Sequence, residues 1–320
     1  MESILRDKIE KNLKIYFPNQ DFIIKKVRRI KTWSTLVLYC DLLEDDGKEK
    51  KIFLKKIHPN SKELVFEFLK IKEYWNYLLT PRILDFFVDE NMVVYDGIKG
   101  NTLSKNMFYY IFQIRKSSSK KKFFKTATKM GTAIGYLQNL TKKRKEKIIN
   151  MNTLLINRIE SNEQIYKLIG KECEIKIKHF IDFIKDLEIW VSQVHRDPTP
   201  HNIYLYNDEV YLLDFAFQNG AIFEDPLCFM ASLDLMRNRI PFFPKSIISN
   251  MKENFYKAYI DITQEHLEVS FLNSLKILRY LELIIMYDKR KKNIKRYFVE
   301  NLDKKYMLKE IKNLCMLLEN

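Results

Sequence analysis

A chain of 320 residues is long enough for two lobes or domains with a sizeable core, and a hydrophobic content of 46% with 13% aromatics excludes a disordered protein. The net charge of +15, from 56 basic against 41 acidic residues, favours anionic partners; the basic residues are mostly lysine, and a lysine bias that only solvates the surface gives the same sum. No run has the apolar length of a membrane span, the N-terminus (Arg6, Asp7, Lys8, Glu10, Lys11) is too charged for a signal peptide, and Cys40, Cys173, Cys228 and Cys315 are dispersed with no CxxC pair, so free thiols in a reducing cytoplasm are expected rather than zinc.

Ile4, Leu5, Ile9, Leu13 and Tyr16 are spaced as one amphipathic helix over residues 2 to 16, which Pro18 ends. From Phe22 to His58 the pattern is that of strands: FIIKKVRRI, then TLVLYCDLLED, a DDGK turn, and KKIFLKKIH. Within the last of these, Lys55 and Lys56 point to opposite faces. A helix is predicted over 61 to 75, capped by Ser61, with Glu63 and Glu67 one turn apart on one face. Pro81 to Val88 and Met92 to Tyr95 read as two more strands around a turn at Asp89-Glu90-Asn91.

After residue 98 the composition turns helical. Phe123, Phe124, Ala127, Met130, Ile134, Leu137 and Leu140 make one buried stripe, and Ile177, Phe180, Ile181, Ile184, Leu187 and Val191 another. Later stripes run through Ile248, Met251, Phe255 and Tyr259, through Phe271, Leu275, Leu278, Leu281 and Ile285, and through Met307, Ile311, Leu314 and Leu318. Basic clusters at 115–122, 142–147 and 288–296 fall between or at the ends of helices, where most such runs are solvated; an anionic membrane surface is the minority reading, and no nucleic acid is expected. There is no internal repeat.

The stretch VHRDPTPHNIYLYNDEVYLLDF, Val194 to Phe215, carries the chemistry. It holds His195, Asp197, Asn202 and Asp214 at fixed spacing, with a short strand pair turning at Asn207-Asp208 and an apolar run leading into Asp214. Phosphoryl transfer requires such a set: a carboxylate to orient and deprotonate an attacking hydroxyl, and an amide oxygen with a second carboxylate to hold Mg²⁺.

HRDxxxxN followed by DF resembles the catalytic and metal-binding loops of the protein-kinase-like superfamily. Within it, HxDxTPxNI and LLDFA are more similar to the aminoglycoside/choline/sugar phosphotransferase branch than to protein kinases. The resemblance implies an α+β, bilobal fold with a small antiparallel β-sheet N-lobe over residues 1–97 and a mainly helical C-lobe over 98–320. It implies Asp197 as base, Asn202 and Asp214 as metal ligands, and His195 as a brace of the loop. It also places a phosphate-covering turn at KTWST, which has no glycine and leaves Ser34, Thr35 and backbone N–H groups as its contacts. By the same resemblance the lysine that reaches the nucleotide phosphates is Lys55, with Lys56 as the alternative, and its helix partner is Glu67, with Glu63 open. Asp96 and Ile98, in YDGIKGNTL, would read adenine through backbone groups.

Several features separate the chain from protein kinases. Asp225-Pro226 follows Asp214 within eleven residues, no Ala-Pro-Glu follows, Thr199 stands where protein kinases place a lysine, and Ala216 replaces the glycine after DF. FEDPLCFMASL resembles the GDPxxDLA segment of the small-molecule branch, with Phe229 at its second acidic position and Asp225 as a capping or supporting residue. The expected function is a cytoplasmic, ATP- and Mg²⁺-dependent kinase of a small hydroxylated acceptor, neutral or anionic, such as a sugar or glycoconjugate. An atypical protein kinase and a nucleotide-binding pseudokinase or scaffold are the alternatives.

Overall fold

The computed structural model describes the chain apart from residues 1–6, 8–9, 12–21, 32–35, 45–48, 72–73, 99, 113–116, 149–155, 207, 267, 290–293 and 319–320. Most of the expected N-terminal helix, and the KTWST turn with Ser34, lie outside the described residues. The chain divides into two compact units, Met1–Gly100 with Tyr211–Leu213, and Asn101–Val210 with Asp214–Asn320.

In the first unit, β1 (Phe22–Lys31), β2 (Leu36–Glu44), β3 (Glu49–Lys56), β4 (Ile83–Phe87) and β5 (Met92–Asp96) form one sheet in the order β1-β2-β3-β5-β4, with every pair antiparallel. Strand alternation builds its core: Leu38, Cys40, Leu42, Ile52, Leu54 and Val94 pack together with Phe87 and Met92. Gly97, just past β5, lies so close to β3 that an added Cβ would stand 2.2 Å from the Lys51 carbonyl oxygen. A side chain at that position would force the end of β5 away from β3.

The helix predicted over 61 to 75 is shorter and broken. A 3₁₀ turn over Pro59–Ser61 leads into α1 (Lys62–Lys70), whose entry Ser61 is buried and makes no side-chain capping bond. The helix closes at Ile71, whose N–H turns back to the Phe68 and Leu69 carbonyls. A separate single turn, α2 (Trp75–Leu78), ends at Leu79 with φ 54°, and the Leu79 carbonyl accepts the N–H of Leu212 at 2.7 Å. Periodicity alone did not show this break, because Trp75 and Leu78 continue an apolar pattern that the backbone does not follow.

β6 (Asn101–Thr102) pairs with β9 (Ile203–Tyr206), and β10 (Glu209–Leu212) completes a three-stranded sheet. Between them lie α3 (Leu103–Phe112), α4 (Ser117–Leu140), β7 (Lys145–Lys147), α5 (Ile156–Glu160), α6 (Glu163–Ile169), α7 (Lys171–Lys185) and β8 (Glu188–Val194). A further sheet has the order β11-β8-β7, β11 being Gln218–Ala221. The stripe expected to run as helix to Val191 is therefore helical only as far as Lys185. Val191 lies in β8, where β7 and β11 both offer pairing partners and tertiary pairing overrides the helical spacing.

The rest is helical: α8 (Glu224–Arg239), α9 (Lys245–Thr263), α10 (Val269–Lys289) and α11 (Ile294–Cys315). Ile177, Ile181 and Ile184 of α7, Leu275, Leu278 and Leu281 of α10, and Met307 and Ile311 of α11 share one buried cluster. α4 lies against α9, and an added Cβ at Gly131 would stand 2.1 Å from the Phe255 carbonyl oxygen. That glycine sets the closeness of the pair. Among the described residues, no helix is long and apolar enough to cross a membrane.

Candidate active site

β8 delivers the chain into the loop that carries the polar motif. Its last residues, Val191 to Val194, are buried, and His195 follows with no exposure at all. The His195 ring meets Phe215 edge-on at 4.5 Å between centroids, and its Nδ1 accepts the N–H of Asp197 at 3.2 Å. That bond puts the remaining ring proton on Nε2.

Asp225, in the first turn of α8, holds the loop from beneath. Its Oδ2 accepts the N–H of His195 at 2.8 Å and its Oδ1 accepts the N–H of Arg196 at 2.7 Å. Gln138 of α4 donates its amide to the same carboxylate at 3.3 Å, and the Tyr259 hydroxyl stands 2.7 Å from Gln138 Oε1. Burial pushes the Asp225 carboxyl up to about 6, against the pull of the two backbone N–H groups.

Arg196 has φ 69°, a left-handed conformation that disfavours side chains with a Cβ. Its backbone is held by Asp225. Its guanidinium donates from Nε to Glu224 Oε2 at 3.3 Å and from Nη1 to Gln218 Oε1 at 3.2 Å. Glu224 also accepts the Ala221 N–H at 2.6 Å, and burial is the main cause that pushes its carboxyl up to about 7.

Asp197, by contrast, is exposed. Asn202 donates its amide Nδ2 to Asp197 Oδ2 at 2.8 Å and to the Asp197 carbonyl at 2.9 Å. Thr199 N–H meets the same carbonyl at 2.7 Å, and Asn202 N–H meets the Thr199 carbonyl at 2.8 Å. The amide nitrogen of Asn202 thus fixes the carboxylate, and the amide oxygen is the atom left for a cation. Asp214 is also exposed and has φ 69°, while Phe215 and Phe217 after it are buried. The His195–Phe215 contact therefore ties the segment carrying Asp214 to the segment carrying Asp197.

Two further groups support the loop. His201 lies between Ser104 Oγ, 2.9 Å from Nδ1, and Arg239 Nη1, 3.3 Å from Nε2. Arginine can only donate, so Nδ1 carries the ring proton. Arg239 in turn grips the fully buried Asp303 of α11 through Nε and Nη2 at 2.6–3.2 Å.

Arg279 of α10 pairs with Glu282 at 2.5 Å and donates to Cys228 Sγ at 3.3 Å. Cys228 is three residues beyond Asp225 on α8, so the two share a helix face and the guanidinium is brought under the loop. Burial works against the Arg279 charge, but Cys228, Glu282 and Asp197 together raise its pKa above the ordinary value.

The remaining residues singled out in the sequence lie in the first unit. Lys55 is buried and Lys56 exposed; Glu67 is half-buried and Glu63 exposed. Asp96 gives its N–H to the Arg82 carbonyl at 2.8 Å, and its Oδ1 accepts the Gly97 N–H at 3.0 Å; Ile98 follows, half-buried. Of the supporting groups, Asp225 had a sequence signal in its Asp-Pro pair at a helix start. Glu224, Arg239 and Arg279 had none, since each is one charged residue within a helix.

A carboxylate and an amide oxygen are the hard donors that Mg²⁺ takes in small number, with the rest of its shell supplied by water and phosphate. Among the described residues no group of three or more His, Cys, Asp or Glu side chains is placed to hold a metal.

No family model matches the sequence, and neither does any curated protein. Solved structures do. A glucosamine kinase in complex with glucosamine, ADP and inorganic phosphate is 10% identical over 93% of this chain and 82% of its own, with a TM-score of 0.61. An amicoumacin kinase in complex with AMP-PNP and Ca²⁺ is 12% identical over 98% and 96%, with a TM-score of 0.59. A choline kinase from Streptococcus pneumoniae is 15% identical over 97% and 99%, with a TM-score of 0.56. At these identities the likeness is one of fold.

Proposed function

We propose that this chain, whose α+β fold is that of the protein-kinase-like superfamily, is a phosphotransferase that moves the terminal phosphoryl group of Mg²⁺-ATP to a hydroxyl of a small molecule. The observation that carries the reading is the construction of the Asp197 loop. Its backbone is clamped by the buried Asp225, while its carboxylate stays exposed and is oriented by the amide of Asn202. Asp197 takes the proton of the acceptor hydroxyl as that oxygen attacks. Asn202 Oδ1 and Asp214 are the ligands for Mg²⁺, which, when bound, neutralises charge on the nucleotide phosphates. The solved glucosamine and amicoumacin kinases hold ADP and AMP-PNP with Ca²⁺, which is the ligand chemistry this site is proposed to take.

The burial of Lys55 and the half-burial of Glu67, against the exposure of Lys56 and Glu63, support the first pair as the phosphate-binding lysine and its partner. Asp96 and Ile98 are assigned to the adenine by the backbone groups they offer past β5. A small acceptor is favoured over a protein because β11 and the turn at 222–223 fill the chain between Phe217 and α8, with little length for a peptide-binding platform.

The acceptor is proposed to be neutral or anionic, a sugar or glycoconjugate. An ammonium-bearing acceptor must be paired as it leaves water, and a chain of net charge +15 favours an acceptor that does not carry that charge. Similar solved structures include kinases of choline, ethanolamine and glucosamine, which are amines, so the acceptor test discriminates. Incubation with ATP, Mg²⁺ and a metabolite extract, with an Asp197→Asn control, is expected to yield phosphorylated products seen by mass spectrometry only with the unmodified protein. Coupled ADP release should then appear with neutral or phosphorylated sugars. Turnover confined to choline, ethanolamine and amino sugars would overturn the acceptor assignment and leave the phosphotransferase reading intact.

A further inference from the structure

The outward face of a surface helix is ordinarily polar, and α3 departs from this. Leu103, Met107 and Tyr110 point inward and are buried. The opposite face carries Lys105 followed by Phe108, Tyr109 and Phe112, which are 49%, 39% and 68% exposed. These rings stand together, with Phe108 and Phe112 4.9 Å apart between centroids and the Lys105 Nζ 5.5 Å from the Tyr109 ring.

The inward face of α3 leads to a second group of rings. Tyr110, Phe123 and Phe243 form a buried three-ring corner with centroids 5.6–5.7 Å apart. Phe242, next to that corner in the chain, is 75% exposed. Lys120, one turn before Phe123 on the same side of α4, is exposed as well. Exposed rings gathered in this way on one helix face are costly in water and mark an interaction site.

We propose that this corner docks the protein on an anionic phospholipid surface, with the rings entering the headgroup boundary and the lysines meeting acidic headgroups. Charge selects that occupant. A symmetric contact with a second copy would set Lys105 and Lys120 of both chains against each other, within molecules of net charge +15. An anionic bilayer instead pairs those lysines while it covers the rings. The proposal does not depend on the phosphotransferase reading, since none of its residues is assigned to that chemistry.

The test is co-sedimentation with phosphatidylcholine vesicles containing about 30 mol% phosphatidylserine, against vesicles of phosphatidylcholine alone. The unmodified protein is expected to bind the anionic vesicles and to be released by salt. The double variants Phe112→Ser/Phe242→Ser and Lys105→Glu/Lys120→Glu should each lower partition at least about tenfold, with unchanged thermal melting. No binding to anionic vesicles, or binding that neither variant weakens, would overturn the proposal. So would a concentration-dependent dimer in light scattering that the Phe112→Ser/Phe242→Ser variant abolishes, because the face would then belong to a second copy.

Discussion

Asp197 must keep its carboxylate open while its backbone is locked, and the two demands fall on different partners: Asn202 above, Asp225 below. On the proposed roles, Asp197→Ala removes proton abstraction and the orientation of the hydroxyl, and transfer should fall by about 10²–10⁴-fold or more. Binding of Mg²⁺-ATP by calorimetry should stay within a few-fold, and full activity would remove the assignment. Glu224 gives a prediction in pH. Its folded pKa is raised from 4.5 to about 7, chiefly by burial. A raised carboxyl stabilises the fold fully only below its unfolded pKa, and that contribution is lost as pH rises through the folded value. The melting temperature should therefore drop between about pH 4.5 and pH 7 more steeply in the unmodified protein than in Glu224→Gln, measured by scanning fluorimetry at fixed ionic strength; parallel curves would show that Glu224 does not titrate there.

At the scale of the element, β3 turns a one-residue shift into a different face. Lys55 is buried and Lys56 exposed on the same strand, so Lys55→Met is expected to raise the KM for ATP while Lys56→Met stays nearly silent. The reverse ranking would move the phosphate contact by one residue without disturbing the sheet. The α4–α9 contact gives a stability prediction. Gly131→Ala should gain up to about 1 kcal/mol of helix propensity. The new Cβ would meet the Phe255 carbonyl oxygen at 2.1 Å, however, and overpacking costs about 1–3 kcal/mol. Net destabilisation in urea unfolding is the expected sign, and a stabilised variant would mean that the helices separate freely.

Across the whole molecule, many lysines stand in ion pairs, while the +15 is the excess left after every acidic residue has been counted. Lys122 meets Asp208, Lys142 meets Glu265, Lys147 meets Asp186, and Lys185 meets both Glu160 and Asp182. The exposed pairs among them, Lys122–Asp208 and Lys147–Asp186, contribute little to stability. What remains is a long-range positive potential that acts on rates and weak binding. For an anionic acceptor, the KM should therefore rise as ionic strength goes from about 0.05 to about 0.3 M, and for a neutral acceptor it should not. A salt-independent KM for a phosphorylated sugar would show that local contacts alone bind it.

The sequence by itself determined the strand and helix periods, the protein-kinase-like fold and the spacing of His195, Asp197, Asn202 and Asp214, because these features are local or are carried by a motif of fixed spacing. Tertiary structure decided the rest. Only the closing of β8 onto α8 places Asp225 beneath two consecutive backbone N–H groups, and only the crossing of α8 and α10 brings Arg279 to Cys228. Val191 became strand because β11 pairs with it and the backbone of Lys143 and Arg144 bonds it from the other side, and Phe108, Tyr109 and Phe112 stayed in water because the inward face of α3 was filled by Leu103, Met107 and Tyr110. In each case the outcome depends on which distant face arrives at a residue, and a local pattern of apolar and charged side chains does not encode that.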